Sequence, residues 1–419
     1  MPSNSVNPTQ SSRCISVPFT TVSTYTEREP LSQKLEQNLG KVHSSTGLGH
    51  AAAVIGLGGT GKTQLVLRYI EEHEKEYDTI LWLDVRSLVT ARSSFERCCR
   101  ALGLPVSAST EQESLHDVAS VQAVLHWLRN RAEESRWLAI LDNADDLSWN
   151  LGAVVPAGRS GSVIVTSQDD RVSRLLGGKS GVVRVDAMNP DEAMSLLRSA
   201  IGWRSAEYSA QAHSLMEKVV DHLDALPLAV DLAGARIKVE VEGDEDSEDS
   251  ESKGDHDSLE SALDRFLADY MRYRDRLLQN DDYARSSTYK KTVWTVWEAS
   301  LESLRSIETS RENVHPSQLL AFMTLLDRAN VQEELFRLAS LGLDRTCDAL
   351  GVSAPPWLRD ILMMGDGGEW DSFCYRETVK ALQRFGLVRT VKGPWKGVTM
   401  HSLVSWRASF DACDAEHRQ

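Results

Sequence analysis

The sequence predicts an α/β domain with a parallel sheet, followed by a helical domain and a winged-helix domain. Five short apolar runs alternate with helical segments up to Asn189, as in repeated strand–helix–strand units around a buried parallel sheet. After Asn189 helical patterns dominate. Near the carboxyl end, a helical pattern precedes two short strand-like runs, and this order indicates the helix and hairpin of a winged helix.

The elements follow from these patterns in chain order. The predicted strands lie at 51–55, 79–85, 137–141, 162–166 and 182–185, and the helices between them lie at 62–74, 91–102, 118–131 and 171–176. Further helices are predicted at 191–201, 206–223, 228–239, 259–278 and 289–304, and then at 317–329, 332–341 and 373–385. The hairpin is predicted at 387–391 and 397–400.

Pattern and composition together predict three domains and two tails. The parallel-sheet domain covers 17–188, the helical domain 189–310 and the winged-helix domain 311–410. Residues 1–16 are rich in small polar side chains and are predicted to be a disordered tail, and 411–419 form a second tail. The sequence shows no internal repeat with a period of about 20 to 50 residues, which excludes a solenoid.

The negative charge is concentrated in one segment. The 419 residues carry a net charge of -15, and 41% are hydrophobic, a globular balance. Residues 240–260 contain eleven acidic residues and one lysine, so they contribute -10. We expect 240–258 to be a disordered acidic insertion, either a solvated spacer or a target of acidophilic kinases through Ser247, Ser250 and Ser252. The case against a nucleic-acid partner therefore depends on site residues more than on overall charge.

Cysteine usage and the amino-terminal composition indicate a reducing compartment. The six cysteines form no CxxC pair and show no zinc-binding spacing with histidine. The first 24 residues lack the apolar core of a signal peptide, and no apolar run approaches the ~18 residues that span a bilayer. We therefore expect a cytoplasmic protein with no membrane partner.

A phosphate-binding loop follows the first predicted strand. Residues 56–63 read Gly-Leu-Gly-Gly-Thr-Gly-Lys-Thr, which matches GxxxxGK[ST] between a strand and a helix. Glycines let backbone N–H groups close around phosphate oxygens, Lys62 brings positive charge to the β- and γ-phosphates, and the Thr63 hydroxyl can ligate Mg²⁺. The motif predicts a P-loop NTPase sheet with these phosphate-binding residues: Gly56, Gly58, Gly59, Thr60, Gly61, Lys62, Thr63 and Gln64.

A second metal-binding group is predicted at the end of the strand 137–141. Asp142 follows this run, and the carboxyl ends of parallel strands share the edge at which the phosphate-binding loop lies. Asp142 is therefore placed to hold Mg²⁺ and is a catalytic candidate. The next residue, Asn143, cannot accept a proton at neutral pH. Asp145 and Asp146 are alternative bases, although such residues more often face solvent.

With these residues the chain resembles the NB-ARC family of STAND-class signalling ATPases, especially fungal members, over 17–406. Residues 25–29 read Tyr-Thr-Glu-Arg-Glu and are similar to the end of the family's opening segment, with Glu27 in place of the usual Gly. In the family this segment frames the adenine. The resemblance therefore makes Tyr25 and Arg28 candidates for binding the base.

Residues 161–168 resemble the family's strand that senses the γ-phosphate. That strand usually ends Thr-Thr-Arg or Thr-Ser-Arg, whereas here Gln168 stands in the place of the arginine. Glutamine donates a hydrogen bond but carries no charge, so its grip on a γ-phosphate is expected to be weaker. Gln168 remains a catalytic candidate. Arg171 is either a substitute for the missing arginine or a solvated residue at a helix start.

Two later motifs complete the resemblance. Residues 223–229 are similar to the family's Gly-Leu-Pro-Leu motif, with Ala225 in place of Gly, and the resemblance implies that Pro227 lies against the adenine. Residues 400–404 resemble the Met-His-Asp motif, in which the His reaches the β-phosphate of ADP and locks the closed state. His401 matches this motif, while Ser402 replaces the Asp.

The resemblance implies a switch that binds ADP or ATP with Mg²⁺ and hydrolyses ATP slowly at most. ADP would hold the domains closed, and exchange for ATP would expose a surface for self-association or for a protein partner in trans. Three alternatives stay open: a non-enzymatic scaffold that keeps ADP, a productive oligomeric ATPase, and DNA binding through the winged helix. The last depends on the basic residues Lys380, Arg384, Arg389, Lys392 and Lys396.

Members of this family usually carry an effector domain before the core and ligand-reading repeats after it. In this sequence 16 residues precede Val17 and 13 follow Trp406. The sequence is compatible with a truncated product, a fragment of a longer protein, or a switch that works in trans.

Overall fold

The computed structural model describes residues 13–40, 48–105, 118–132, 134–147, 149–176, 181–202, 209–245, 255–277, 304–305, 308, 314–326, 330–365, 367–391, 396–401, 404–405 and 408–409. The chain divides into two compact units. The first comprises Met1–Leu57 and Gly61–Asp186, and the second comprises Gly58–Thr60 and Ala187–Gln419. The three domain boundaries drawn from the sequence stay a prediction.

A six-stranded parallel sheet forms the centre of the first unit. In the order β1-β3-β4-β5-β2-β6, all neighbouring strands are parallel. Two interior strands, β3 and β4, are buried along their whole length, as their continuous apolar sequences predict. The five predicted strands are confirmed, and the full set is β1 (Cys14–Ser16), β2 (Leu48–Ile55), β3 (Thr79–Asp84), β4 (Trp137–Asp142), β5 (Gly158–Ser167) and β6 (Gly181–Arg184).

The predicted disorder of residues 1–16 is wrong at its carboxyl end. Cys14–Ser16 form β1, which pairs with residues 79–81 of β3 at one edge of the sheet. Three residues are too few to show an alternating pattern, and the strand depends on backbone hydrogen bonds to a segment far away in sequence. Residues 1–12 lie outside the described residues.

Helices cover both faces of the sheet. One apolar cluster joins the sheet to α3 and α4 and includes the buried thiols of Cys98 and Cys99, while the other joins it to α1 and α2. Helix α3 begins with a capping box, because Ser87 and Thr90 each bond the other's backbone N–H through a side chain. The helices are α1 (Glu29–Gly40), α2 (Lys62–His73), α3 (Leu88–Ala101), α4 (Ala119–Arg129) and α5 (Val172–Leu175).

The second unit is mainly helical and has one continuous apolar core. Its small antiparallel sheet has the order β7-β9-β8, with β7 (Val331–Gln332), β8 (Arg389–Val391) and β9 (Gly397–Thr399). The helix-then-hairpin order near the carboxyl end is confirmed, while the winged-helix assignment stays a prediction. The helices are α6 (Pro190–Ile201), α7 (Ala210–His222), α8 (Pro227–Glu245), α9 (Asp255–Leu277), α10 (Pro316–Met323), α11 (Glu333–Ser340), α12 (Leu343–Leu350), α13 (Pro356–Ile361) and α14 (Phe373–Arg384).

The predicted disorder of the acidic insertion, 240–258, is wrong at both of its ends. Helix α8 continues to Glu245 and α9 begins at Asp255, and 246–254 lie outside the described residues. Nearby cations stabilise the extension, since Glu240 pairs with Arg236 at 3.1 Å and Glu242 with Arg384 at 3.1 Å. The prediction for 317–329 is also too long, because α10 ends at Met323. Most of the predicted helix 289–304 falls outside the described part of the chain.

Ion pairs join the helices of the second unit to one another and to its sheet. Arg236 of α8 is 3% exposed and contacts Glu240 of the same helix at 3.1 Å and Asp269 of α9 at 2.5 Å. Arg389 at the start of β8 donates to Asp231 of α8 at 2.5 Å. Across the described ranges, no helix is both long and apolar enough to cross a membrane.

Candidate functional site

The glycine-rich loop turns the chain from β2 into α2. Gly59 and Gly61 have φ values of 82° and 94°, in the left-handed region that favours glycine. A Cβ atom at Gly61 would meet nothing within 4 Å, so backbone conformation, not space, requires glycine there. Gly61 is the N-cap of α2 and supplies no side-chain cap. The first N–H groups of α2 therefore suit an anion.

Lys62 is folded against this loop. Its ammonium group donates to the carbonyl oxygens of Gly56 at 2.8 Å and Leu57 at 2.9 Å. Burial lowers the pKa of Lys62, while the negative charges of Asp145 and, less strongly, Asp142 oppose that shift. The arrangement concentrates one positive charge between the loop and the acidic edge of the sheet.

Asp142 lies at the carboxyl end of β4 and is 3% exposed. Its Oδ1 accepts hydrogen bonds from the hydroxyls of Thr166 at 2.6 Å and Thr63 at 3.1 Å. Burial raises its pKa to about 6, and these hydroxyl donors only partly offset the shift. A carboxylate beside a threonine hydroxyl is a set of hard oxygen ligands that fits Mg²⁺, and Thr63 and Asp142 would be the residues that hold it.

Asn143 has a structural role that the sequence did not reveal. Its φ is 61°, a left-handed conformation that Asn tolerates better than most residues. Its backbone N–H donates to the Thr166 hydroxyl at 3.0 Å, and its side-chain amide donates to Asp142 Oδ2 at 3.1 Å. Asn143 therefore fixes Asp142 and the turn after β4.

A second carboxylate, missed by sequence reasoning, lies beside Asp142. Asp84 ends β3 and is in register with Asp142 on the neighbouring strand. The Arg86 guanidinium donates to Asp84 through Nε at 2.9 Å, and the Asp84 charge contributes to the raised pKa of Asp142. A signal was available, because both strands end in Leu-Asp, at 83–84 and 141–142.

Gln168, after β5, is bound to the loop after β4. Asp145 accepts from the Gln168 backbone N–H at 2.6 Å and from its side-chain amide at 3.0 Å. Asp145 is exposed, as expected from sequence, but it is not simply solvated. Arg171 is exposed and binds Asp169, with Nη2 at 2.5 Å, so it is the solvated residue at a helix start that one alternative predicted.

The amino-terminal segment, defined as residues 17–28, crosses the first unit. Phe19 packs edge-on against Trp82 of β3 at 6.0 Å, and the Val22 N–H donates to the Gln64 side chain at 2.9 Å. Arg28 donates to the Asp186 carbonyl after β6 at 3.0 Å. The Tyr25 hydroxyl is buried beside the Ser32 side chain, and burial raises the pKa of Tyr25 to about 12.

The remaining predicted residues belong to the second unit. Pro227 begins α8, and the next residue, Leu228, donates its N–H to the Gly59 carbonyl at 3.1 Å. The preceding Ala225 has a φ of 48°, so the usual glycine of this motif would fit its backbone. His401 follows β9, is half-buried, and accepts the Ser405 N–H at its carbonyl at 2.9 Å.

The structure thus brings part of the predicted site together. The first unit holds the acidic edge, the lysine and the amino-terminal segment, and it contains Gly56, Gly61, Lys62, Thr63, Gln64, Asp142, Gln168, Tyr25 and Arg28. The second unit holds Gly58, Gly59, Thr60, Pro227 and His401. A parallel sheet with this loop between β2 and α2 is the fold of P-loop NTPases.

Comparison with known proteins identifies a domain in this region. The sequence model of the NB-ARC domain matches residues 29–207. A nucleotide-binding leucine-rich repeat (NLR)-like protein of Hyaloscypha variabilis is 27% identical over 202 residues, which cover 44% of this chain. The chain spans only 19% of the length of that relative.

The solved structures that resemble this chain have low sequence identity to it. The ORC2 protein of Aeropyrum pernix, in ADPNP and ADP complexes, is 16% identical over 96% of this chain and 97% of its own, with a TM-score of 0.34. Domain III of the replication initiation protein DnaA of Thermotoga maritima is 12% identical over 59% of this chain and 96% of its own, with a TM-score of 0.36. Neither likeness adds to the fold that the strand order defines.

Proposed function

We propose that this chain is a switch operated by adenine nucleotides, because residues 29–207 match the NB-ARC domain model and an NLR-like protein is among its relatives. ADP would favour a closed state, and ATP with Mg²⁺ would favour an open state able to associate with a second copy or a protein partner in trans. Hydrolysis would be slow, since a switch needs a long-lived bound state.

One observation carries this proposal: Lys62, Thr63 and Asp142 converge at one edge of the sheet. Thr63 and Asp142 come from different elements, and their oxygens are 3.1 Å apart. The lysine would neutralise phosphate charge, and the two oxygens would hold Mg²⁺ against the phosphate chain. The metal, when bound, would supply positive charge that offsets the negative charge of the phosphate oxygens.

The arrangement near the γ-phosphate position favours a switch over a productive ATPase. Activation of water requires a general base, yet Asn143 has no proton affinity at neutral pH and is committed to holding Asp142. The Asp145 carboxylate accepts two hydrogen bonds from Gln168. Asn143 therefore supplies no base, and Asp145 is held on Gln168, so rapid turnover is not expected.

The remaining predicted contacts are part of the same proposal. Tyr25, Arg28 and Pro227 would frame the adenine, and His401 would reach the β-phosphate of ADP. A guanine-reading Asn-Lys-x-Asp motif does not occur in the sequence, which favours adenine.

The test is the identity of the nucleotide that copurifies with the chain. Native mass spectrometry of the purified protein, before and after incubation with ATP and Mg²⁺, should show one ADP per chain and then a change in oligomer size. A Lys62→Ala variant serves as the control and should carry no nucleotide. Wild-type protein that never binds ADP, and that behaves like Lys62→Ala, would refute the proposal.

A further inference from the structure

Asp145 and Gln168 form a fixed pair at the edge of the phosphate site. The Asp145 carboxylate uses both oxygens: Oδ1 accepts the Gln168 backbone N–H at 2.6 Å, and Oδ2 accepts its side-chain amide at 3.0 Å. This two-point contact holds the glutamine side chain towards the carboxylate. The negative charge of Asp145 therefore lies beside residue 168.

Further bonds hold this pair in place. The backbone N–H of Ala144 donates to the Thr166 carbonyl at 2.8 Å, which ties the loop after β4 to the end of β5. The Ser167 hydroxyl donates to the Ala144 carbonyl at 2.7 Å and accepts the Asp169 N–H at 2.9 Å. The last two residues of β5 and the following Gln168 are thus bonded to the loop that carries Asp145. The carboxylate is fixed in position, although it is exposed.

The Asp145 charge is felt at the phosphate-binding lysine. The Gly56 N–H of the phosphate-binding loop donates to the Ser167 carbonyl at 3.1 Å, and the Ser167 hydroxyl lies 3.3 Å from Asp145 Oδ1, so the carboxylate is two contacts away from the loop. The negative charge of Asp145 also opposes the lowering of the Lys62 pKa. A phosphate chain gripped by Lys62 would therefore lie within the field of the Asp145 carboxylate. The repulsion grows with the negative charge of the chain, and ATP carries more negative charge than ADP.

We propose that Asp145 determines nucleotide preference: its fixed carboxylate, held on Gln168, biases the site towards ADP and against ATP. This inference rests on the proposed adenine-nucleotide switch. An arginine at position 168 would attract the γ-phosphate, whereas the Asp145–Gln168 pair presents a negative charge there. The pair would thus lengthen the life of the ADP-bound state without any contact to the adenine.

The test compares the ratio of two dissociation constants, for ATP and for ADP, in the presence of Mg²⁺. Isothermal titration of Asp145→Asn, which keeps a side-chain oxygen for Gln168, should shift this ratio towards ATP on the order of tenfold. The matched control is Asp146→Asn, which removes the same charge one residue away and should leave the ratio at the wild-type value. The shift should shrink as salt is raised, since a structural defect would not be screened.

The possible outcomes separate the two proposals. If the wild type binds both nucleotides and Asp145→Asn keeps the wild-type ratio, the role of Asp145 is refuted and the switch stands. Equal shifts in Asp145→Asn and Asp146→Asn would refute it too, because they would indicate a general charge effect. If the wild type binds neither nucleotide, the proposed switch itself fails. Circular dichroism of each variant should match the wild type.

Discussion

The two units each bury a charged side chain, and they treat it in opposite ways. Asp142 of the first unit and Arg236 of the second are both 3% exposed. Arg236 has two carboxylates within 3.1 Å, whereas Asp142 is held by hydroxyls and an amide, and burial raises its pKa. A buried charge with opposite charges around it is part of the framework. The neutral donors around Asp142 support the Mg²⁺ site proposed beside it.

The largest expected effect comes from removing the compensated charge. Arg236→Met would leave Glu240 and Asp269 without their shared partner, and Glu240 already has its pKa raised by burial. We expect the variant to lose about 3 to 5 kcal/mol of unfolding free energy, measured by urea denaturation. The control is Arg337→Met, which breaks an exposed pair with Glu334 on α11. That variant should unfold at the wild-type urea concentration, and an equal loss in both would contradict the comparison.

Removing the buried charge of Asp142 should have the opposite effect on the free energy of unfolding. The unfolded chain releases the Asp142 proton near pH 3.8, while the folded chain keeps it up to about pH 6. The stability that this group contributes is therefore fully present below pH 3.8 and is lost as the pH rises through 6, at a cost of about 3 kcal/mol. Asp142→Asn should raise the melting temperature at pH 7.5 and leave it unchanged at pH 3.5.

The same Asp142→Asn variant should lose the Mg²⁺ dependence of nucleotide binding, because the amide brings no charge to the ion. Melting curves with and without Mg²⁺ and ADP would show both effects in one experiment. A variant that is less stable at pH 7.5 and still responds to Mg²⁺ would show that Asp142 is an ordinary structural residue.

In the first unit, the positive charge at the candidate site is that of Lys62. Its ammonium contacts only loop carbonyls within hydrogen-bond distance in the described ranges, and burial lowers its pKa. We expect Lys62→Ala to weaken ADP binding about a hundredfold while the melting temperature of the nucleotide-free protein stays near the wild-type value. A large fall in that melting temperature would instead show that Lys62, like Arg236, mainly stabilises the fold.

A smaller effect is expected for the pair between α8 and β8. Arg389 and Asp231 are 34% and 14% exposed, so solvent screens them more than Arg236. Arg389→Ala should cost about 1 to 2 kcal/mol. A double-mutant cycle with Asp231→Ala isolates the interaction, and the swapped pair Arg389→Asp with Asp231→Arg should recover part of the loss. Additive single effects would mean that the two side chains act independently.

The smallest effect concerns backbone conformation. Ala225 and Asn143 both have left-handed φ values, 48° and 61°, but only asparagine is suited to that region. Ala225→Gly should stabilise the second unit by about 0.5 kcal/mol, since relief of strain exceeds the entropy gained by the unfolded chain. Asn143→Gly should bring no such gain. Urea midpoints would decide, and a destabilised Ala225→Gly would show that the alanine methyl group contributes more through packing.

Sequence reasoning found the groups whose chemistry follows from local pattern. The loop 56–63 can be recognised from sequence because it stands between a strand pattern and a helix pattern. Asp142 can be recognised because it ends a strand pattern of the same parallel sheet. From sequence, Asn143 and Gln168 were interpreted as the loss of a proton acceptor and of a positive charge. In the structure Asn143 supports the turn after β4. The partner of Gln168 could not be predicted, since the contact with Asp145 depends on how the loop after β4 meets the end of β5.

Short elements and helix ends also escaped prediction. Strand β1 has three residues and owes its existence to an edge of β3. The end of α8 was placed too early because the acidic composition after residue 240 suggested disorder. Cations that lie near in space but far in sequence, such as Arg384, reverse that expectation.

The amino-terminal segment links the two edges of the open sheet. Strand β1 is fastened to one edge of the sheet, and Arg28 is fastened to Asp186 just beyond the strand at the other edge. Six strands span about 24 Å, whereas the eleven residues between these anchors could extend to about 36 to 40 Å, so the segment crosses the sheet with length to spare. Phe19 and Val22 hold it against the first unit along the way. Release of β1 by a partner or a protease would remove one anchor, and Phe19 and Val22 would then be the first contacts that hold the segment ahead of Tyr25.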